Sequence, residues 1–332
     1  MATSAGTAVA ADTECIEAAR LQYGVAHISC FAGSHDKRAL LLHNGGVVAY
    51  RVCMGVAVAV GDPLCAPSQQ ADAITTYAAE CRARRWVPCF YQTDPALRDA
   101  YRRAGLAMVK FGEEAIVDVD HFTLDTPSRA NLRREVGRAH RAGLDATVMP
   151  WPDRDQEIWA ELTEVSDRWL ATKGGREIGF SLGRLRDVVD ARGRLTLVRD
   201  QSARVHAFTS WVRLGADALA LDLVRRRPDA SGGAADLALV AAIEEARRLG
   251  IRSVSIGAVP FRDTVGDAPD GVVAQRVRRL VYAHGVGSYR YRSLAHFKDK
   301  FAPRWVTRDI ALPRGRAGVT ALAGLTRVHL TP

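Results

Sequence analysis

The predicted secondary-structure elements follow the same order twice along this 332-residue chain, and that order is the strongest constraint on its fold. In the first half, two apolar runs around an Asn-Gly turn predict a hairpin. Apolar periodicity, with capping residues and glycines at the element ends, predicts the other helices and strands. The predicted elements are a hairpin (38–52), a strand (55–63), a helix (68–86), a strand (87–93), a helix (94–105) and a strand (106–119).

The second half opens with a helix and then follows the order of the first. Its predicted elements are a helix (153–174), strands (194–200, 204–214 and 217–224), a helix (236–250), a strand (251–259), a helix (270–285) and a strand (287–293). Two copies of a mixed unit account for this repetition, so we predict an α/β (α+β) fold. The predicted organisation is a flexible lead-in (1–20), an N-terminal unit (21–125), a basic linker helix and connector (126–150), a C-terminal unit (151–312) and a tail (313–332).

The net charge of +9 is distributed unevenly. Residues 1–150 contain 16 basic and 16 acidic residues, and residues 151–332 contain 30 basic and 21 acidic residues. An excess of one sign in one half favours a polyanionic partner, such as a nucleic acid, an anionic membrane or a phosphorylated substrate. A generally arginine-rich proteome would give the same excess without such a partner.

The six cysteines form no CxxC pair and have no accompanying histidine cluster. We therefore expect no metal site, and we expect reduced cysteines in a cytoplasmic protein. The N-terminus has neither the basic segment nor the apolar core of a signal peptide. Because no apolar run approaches the roughly 18 residues that span a bilayer, we expect a soluble chain.

The predicted linker helix has two different faces. At about 100° per residue, Leu132, Val136 and Ala139 share an apolar face. The opposite face carries a basic stripe of three residues, Arg134, Arg138 and Arg141. Such a stripe is either an ordinary solvated surface or a surface that binds nucleic-acid phosphates.

An acid interrupts the apolar run LALDLVRRRPDASGG over residues 219–233. Strict strand alternation places Leu219, Leu221 and Leu223 on one face and Asp222 on the other, beside small residues. A carboxylate beside free space indicates a pocket, with Arg225 as its nearest candidate partner. A structural salt bridge at a strand end explains the pattern equally well.

The glycines that follow this run open a predicted helix, where backbone N–H groups can hold a phosphate. Acetyltransferases use such a loop for coenzyme A, with an Arg/Gln-x-x-Gly-x-Gly/Ala pattern. Here Asp229 stands three residues before Gly232, so Gly232 and Gly233 do not complete that pattern.

Two further segments carry candidate site residues. Glycine-rich backbone over residues 168–185 is typical of a segment that lines a site, although a plain connector has the same composition. In the segment YRYRSLAHFKDKFAPRW, helical periodicity places Lys298 at the edge of a buried face and Lys300 at the surface.

Together these segments resemble one known family. The stretches AYRVCMGVAVAVGDPL, FYQT, FGEEAIVDVDHFTL, NLRREVGRAHRAG, SDRWLATKGGREIGFSLGRL, LDLVRRRPDASGG and FKDKFAPRW are similar, in order, to the catalytic domain of the aminoacyl-phosphatidylglycerol synthases, the multiple peptide resistance factors (DUF2156-type). The resemblance extends from about residue 25 to residue 312. It implies two tandem acetyltransferase-like (GNAT) units, an aminoacyl-tRNA donor and no cofactor.

The chemistry of transfer from an aminoacyl-tRNA suggests roles for individual residues. Asp222, Arg225 and Lys298 are the expected catalytic residues: Asp222 orients or deprotonates the acceptor or binds the α-ammonium group, Arg225 binds a phosphate of the tRNA or the acceptor and positions Asp222, and Lys298 faces the oxyanion or the leaving 3′-oxygen. The expected substrate-binding residues are Glu177, Phe180, Ser181, Gly183, Gly232 and Gly233. The expected tRNA-binding residues are Arg134, Arg138, Arg141, Arg226, Arg227 and Lys300.

The acceptor remains open at this point. Some soluble relatives acylate small metabolites in natural-product pathways, and a chain without a membrane anchor slightly favours such an acceptor over phosphatidylglycerol. An acetyl-CoA-dependent acetyltransferase and a non-catalytic tRNA-binding protein are the alternatives. A peripheral membrane contact through the apolar residues 318–330 is a further one.

Overall fold

The computed structural model describes residues 14–43, 45–152, 156–173, 179–181, 183–185, 193–262 and 291–330. Their strands form one continuous sheet in the order β1-β2-β3-β4-β11-β5-β10-β9-β8-β7-β6. The strands are β1 (Arg38–Leu41), β2 (Val47–Cys53), β3 (Val56–Val60), β4 (Val87–Thr93), β5 (Ala107–Asp118), β6 (Asp145–Pro150), β7 (Arg194–Arg199), β8 (Val205–Leu214), β9 (Ala218–Arg226), β10 (Ser253–Pro260) and β11 (Arg304–Leu312).

Helices cover both faces of this sheet. They are α1 (14–23), α2 (Gln70–Ala83), α3 (Arg98–Arg103), α4 (Ala130–Arg141), α5 (Ile158–Ala171), α6 (Ala234–Arg248), α7 (Tyr291–Asp299) and α8 (Gly315–Leu330). A short 3-10 helix, His27–Phe31, lies between α1 and β1. The predicted α/β fold is confirmed.

Each half of the chain contains a meander of antiparallel strands followed by a parallel pair joined by a helix. In the first half, β3 and β4 are parallel and α2 connects them. In the second half, β9 and β10 are parallel and α6 connects them. The apolar residues of β3 are buried throughout the strand, as expected when both faces of a parallel strand are covered.

The two halves exchange their last strands. Strand β5, from the first half, pairs with β10, and β11, from the second half, pairs with β4. The exchanged strands also pair with each other at the centre of the sheet. The division into units 21–125 and 151–312 stays a prediction, but the sheet interlocks the halves across it.

Several predicted elements differ from the structure. Residues 291–293, which were predicted to end a strand, lie in helix α7. Strands β6 and β11 were not predicted. Part of the expected lead-in lies in α1, where Ile16 and Ala19 are buried. The expected tail forms α8, which packs on β2, β3 and β4. The predicted helix 270–285 lies outside the described residues.

Apolar clusters lie on both faces of the sheet. In the C-terminal half, α4 and α6 cover one face, and Leu162 and Val165 of α5 pack against the other. The predicted buried face of α4 is confirmed, because Leu132, Val136 and Ala139 are all buried. Within the described part of the chain, no helix is both long and apolar enough to cross a membrane.

Candidate active site

The parallel strands β9 and β10 separate in the middle of the sheet. They pair only where Ala218–Ala220 lies beside Ser253–Ser255. Beyond this point both strands are irregular: β9 shifts register against β8 between Leu221 and Leu223, and β10 shifts register against β5 between Ser255 and Ala258. In this opening, side chains bond to the backbone carbonyl oxygens of Leu221 on β9 and Ala258 on β10.

Asp222 is the extra residue of the irregularity in β9. The Ser210 hydroxyl donates a hydrogen bond to its Oδ2 over 2.9 Å and accepts one from the Leu223 amide over 3.0 Å. This bulge also corrects the predicted alternation. Leu219 and Leu221 pack towards α6, as expected on one face, but Leu223 packs towards α5 on the other face.

The space predicted beside Asp222 is occupied by backbone. Gly183 approaches so closely that a Cβ atom there would overlap Oδ1 of Asp222. A glycine at this position is therefore required for the segment 183–185 to cover the carboxylate.

Lys298 approaches the opening from α7. It is only 5% exposed, and its Nζ donates a hydrogen bond to the Ala258 carbonyl over 3.0 Å. Burial lowers the pKa of Lys298 to about 7, although the nearby Glu114 carboxylate opposes this effect. An ammonium group with this pKa can both hold and release a proton near neutral pH.

His27 joins the two sides of the opening. Its Nε2 lies 2.6 Å from the Leu221 carbonyl oxygen, which can only accept, so Nε2 carries a proton. Burial lowers the pKa of His27 and favours the neutral ring, although Glu114 opposes this effect. An added Cβ at Gly257 would lie 3.3 Å from His27 Nε2 and 3.2 Å from Lys298 Nζ, so both side chains meet over this glycine.

A buried carboxylate supports this arrangement. Glu114 on β5 accepts hydrogen bonds from the His27 amide over 3.0 Å, from the Ser255 hydroxyl over 2.6 Å and from Arg308 Nε over 2.7 Å. Burial alone would raise the pKa of Glu114, but Arg308, His27 and Ser255 together lower it. Because Glu114 and Arg308 lie on the exchanged strands, the exchange itself builds the support of the site.

Sequence reasoning did not identify His27, Ser210, Ser255, Glu114 or Arg308. The pair Glu113-Glu114 inside an apolar strand was the available signal, of the same kind as the acid in β9. Nothing in the periodicity around His27 distinguishes it, since its partners are remote in sequence.

Arg225 lies on the α5 side of the sheet. Its Nε donates to the Ser166 hydroxyl over 3.3 Å, and its guanidinium lies 4.3 Å from the Trp169 ring centroid. Arg225 is buried, and its Nη1 also donates to the Val224 carbonyl over 3.2 Å. The role of Arg225 stays a prediction.

The expected substrate-binding segment contacts α8 and the N-terminal half of the chain. Phe180 is buried, with a ring-centroid distance of 5.2 Å to His329, and Ser181 Oγ lies 3.0 Å from His329 Nε2. Lys37 Nζ lies 4.8 Å from the Phe180 ring centroid. Glu177 lies outside the described residues.

Gly232 and Gly233 do not form an open phosphate cradle. A Cβ at Gly233 would overlap the Glu135 carbonyl oxygen, and one at Gly232 would lie 2.7 Å from Arg138 Nη1. Helix α4 therefore covers the N-terminus of α6, and these glycines serve the packing of two helices. This geometry disfavours the acetyl-CoA alternative.

Four of the six expected tRNA-binding residues are exposed. Arg134, Arg138 and Arg141 are exposed on α4, and Arg226 is exposed at the end of β9.

Two of the expected tRNA-binding residues require correction. Arg227 is buried and makes a bidentate ion pair with Glu164, over 2.9 and 2.8 Å, that lowers the pKa of Glu164 to about 2. Lys300 is not a surface cation, because it pairs with the buried carboxylate of Asp236. Both partners are too remote in sequence for periodicity to reveal.

Comparison with known proteins identifies the family. Residues 18–311 match the family described as "Phosphatidylglycerol lysyltransferase, C-terminal". The chain belongs to this family. It is 30% identical over 282 residues to the lysylphosphatidylglycerol biosynthesis bifunctional protein LysX of Mycolicibacterium gilvum, covering 84% of this chain and 26% of that protein. The chain thus spans about a quarter of the length of this curated relative.

Two solved structures of family members have the same fold. The DUF2156 C-terminal domain of an assigned lysylphosphatidylglycerol synthetase from Agrobacterium fabrum is 26% identical, with a TM-score of 0.81 and 96% of each chain covered. L-PGS from Bacillus licheniformis is 25% identical, with a TM-score of 0.81 and coverage of 95% of this chain and 96% of that chain. The resemblance stated from the sequence motifs is therefore confirmed.

Proposed function

We propose that this chain transfers an aminoacyl group from a charged tRNA to a hydroxyl group of phosphatidylglycerol. The relatives are named for lysylphosphatidylglycerol synthesis, which favours lysine as the amino acid and an anionic lipid as the acceptor. This proposal replaces the small-metabolite acceptor that the sequence slightly favoured.

The opening between β9 and β10 is the observation that carries the proposal. Asp222 lies on β9, and Lys298, with a pKa of about 7, donates to the Ala258 carbonyl of β10. An aminoacyl ester is already activated, so a positioned base and a positioned acid are sufficient for its transfer.

The reaction exchanges one ester for another. The acceptor hydroxyl oxygen attacks the aminoacyl carbonyl carbon while its proton passes to Asp222. The bond between that carbon and the tRNA 3′-oxygen then breaks, and the Lys298 ammonium gives a proton to the leaving oxygen. Solvent returns the proton from Asp222 to Lys298, so no proton or electron is gained or lost overall.

The remaining expected residues would serve binding. Phe180 and Ser181 would line the aminoacyl pocket, and Arg225 would bind a phosphate of the tRNA or of the acceptor. The exposed stripe of Arg134, Arg138 and Arg141 would contact the tRNA backbone, where cations release bound counterions.

Transfer from a mixed pool of charged tRNA tests this function. Total tRNA is charged with labelled amino acids and incubated with the protein and phosphatidylglycerol micelles, and label is counted in the organic and aqueous phases. We expect RNase-sensitive label, identified as lysine, in the organic phase.

The controls for this assay are matched variants. Asp222→Asn and Lys298→Met should abolish transfer, whereas Glu244→Gln, on the exposed face of α6, should not change it. Label that enters a soluble metabolite instead, or tRNA binding with no loss of the aminoacyl ester, would contradict the proposal.

A further inference from the structure

Helix α8 presents an apolar strip to solvent, opposite the face that packs on the sheet. The exposed fractions are 70% for Val319, 47% for Leu322 and 64% for Leu330. At about 100° per residue, these three side chains lie on one side of the helix. Of the seven large apolar side chains that are exposed in the described part of the chain, three are on this helix of 16 residues.

The charges on α8 all have the same sign. Its sequence, GRAGVTALAGLTRVHL, contains no acidic residue. Arg316 and Arg327 are exposed and lie along one edge of the apolar strip, and Arg314 is exposed just before the helix. An apolar face bordered by arginines is typical of helices that lie in the interface of an anionic membrane.

This helix also contacts the segment that covers Asp222. His329, in its last turn, donates from Nδ1 to the Leu325 carbonyl over 2.7 Å, which leaves Nε2 to contact the Ser181 hydroxyl at 3.0 Å. Ser181 and Gly183 belong to the same short segment, and Gly183 covers the carboxylate of Asp222. A surface bound along α8 therefore lies one loop away from the reacting groups.

We propose that the outer face of α8 docks on an anionic phospholipid surface and holds the active site against the membrane that contains the acceptor. The proposal rests on the proposed function for the identity of the lipid. The apolar strip inserts between headgroups, and the arginines pair with lipid phosphates. A second copy of the chain could also cover such a face, but the arginines along its edge would then face each other's positive charge across a symmetric contact.

Sedimentation with sucrose-loaded vesicles tests the docking. The vesicles contain either phosphatidylcholine alone or an equimolar mixture with phosphatidylglycerol. Val319→Ser, Leu322→Ser and Leu330→Ser combined should weaken binding to the mixed vesicles by about tenfold or more. Arg316→Glu with Arg327→Glu should weaken it by about fivefold per arginine, and only where phosphatidylglycerol is present.

The control is Leu249→Ser, which removes a similarly exposed leucine at the end of α6 and should bind like the wild type. Thermal unfolding shows whether each variant remains folded. Wild-type binding by the triple serine variant would overturn the proposal. So would a change in the oligomeric state, seen by analytical ultracentrifugation, without a change in vesicle binding.

Activity separates this proposal from the proposed function. With phosphatidylglycerol of short chain length dispersed as monomers, the triple serine variant should transfer at the wild-type rate, whereas transfer to vesicles should fall with binding. If the wild type transfers to neither form while the binding results hold, the proposed function fails and the docking surface stands. If transfer to vesicles is unchanged in the triple variant, the docking surface is wrong and the function stands.

Discussion

Replacement of Lys298 tests the chemistry of the site in the most detail. Because burial lowers its pKa to about 7, the ammonium that protonates the leaving oxygen is lost as the pH rises through 7. We expect kcat/KM for transfer to fall about tenfold per pH unit above that value, since kcat/KM reports the free enzyme. Lys298→Arg keeps the charge but cannot release a proton, so it should lower the rate by about 10²–10⁴-fold and remove this inflection.

The arginine variant also shows whether the pH inflection belongs to Lys298 or to the substrate, because the α-ammonium group of the substrate titrates close to the same pH. Single-turnover transfer is measured between pH 6 and 8.5, roughly one to two units either side of the lysine pKa. If the inflection persists in Lys298→Arg, it belongs to the substrate, and the acid role of Lys298 is refuted.

The stability of Lys298→Met provides a second measurement. Below pH 7 the lysine is charged in both the folded and unfolded states, so the lowering of its pKa from 10.5 to about 7 costs folding about 5 kcal/mol. Between pH 7 and 10.5 only the unfolded state binds the proton, and the cost declines. Loss of the hydrogen bond to Ala258 offsets about 1–3 kcal/mol. Urea unfolding at pH 6 should show Lys298→Met to be about 2–4 kcal/mol more stable, and a destabilised variant would contradict the buried charge.

Four further changes test the surroundings of the site. Gly183→Ala should lower single-turnover transfer by about 10²-fold with little change in the melting temperature, because the added methyl group displaces the Asp222 carboxylate; unchanged transfer would mean that the loop does not position it. Glu114→Gln should lower the free energy of unfolding in urea by about 3–5 kcal/mol, because Arg308 is left as a buried charge; a change below 1 kcal/mol would argue against the pairing. Replacing Arg134, Arg138 and Arg141 with Gln should reduce the slope of log Kd for tRNA against log salt by the equivalent of about three phosphate contacts. In contrast, Arg227→Ala should lower the free energy of unfolding and leave that slope unchanged, because Arg227 pairs with Glu164.

The helices and strands were largely predictable because their signals are local. The exchange of β5 and β11 was not, because strand partners are chosen by tertiary packing. Strand β11 was missed for a related reason. Its sequence, RWVTRDIAL, carries Arg308 and Asp309 at its centre, and these buried charges pair with Glu114 and Arg98 on other elements.

The site was predictable where a polar residue interrupts an apolar pattern. Asp222 and Lys298 were found in this way. Asp222 lies on β9 and bonds to Ser210, and Lys298 donates to the Ala258 carbonyl of β10. The bulge that turns Leu223 to the opposite face of β9 could not be predicted, because it depends on the pairing of β9 with β8. For the same reason, the sequence did not distinguish the buried Arg227 from the exposed Arg226.

The structure of the protein bound to a 3′-aminoacylamido-adenosine, which mimics the charged tRNA end and cannot be cleaved, tests the central claim most directly. The aminoacyl carbonyl should lie over Gly257, within hydrogen-bonding distance of Lys298 Nζ and beside the Asp222 carboxylate. An analogue bound away from the opening between β9 and β10, with Lys298 and Asp222 untouched, would contradict the account.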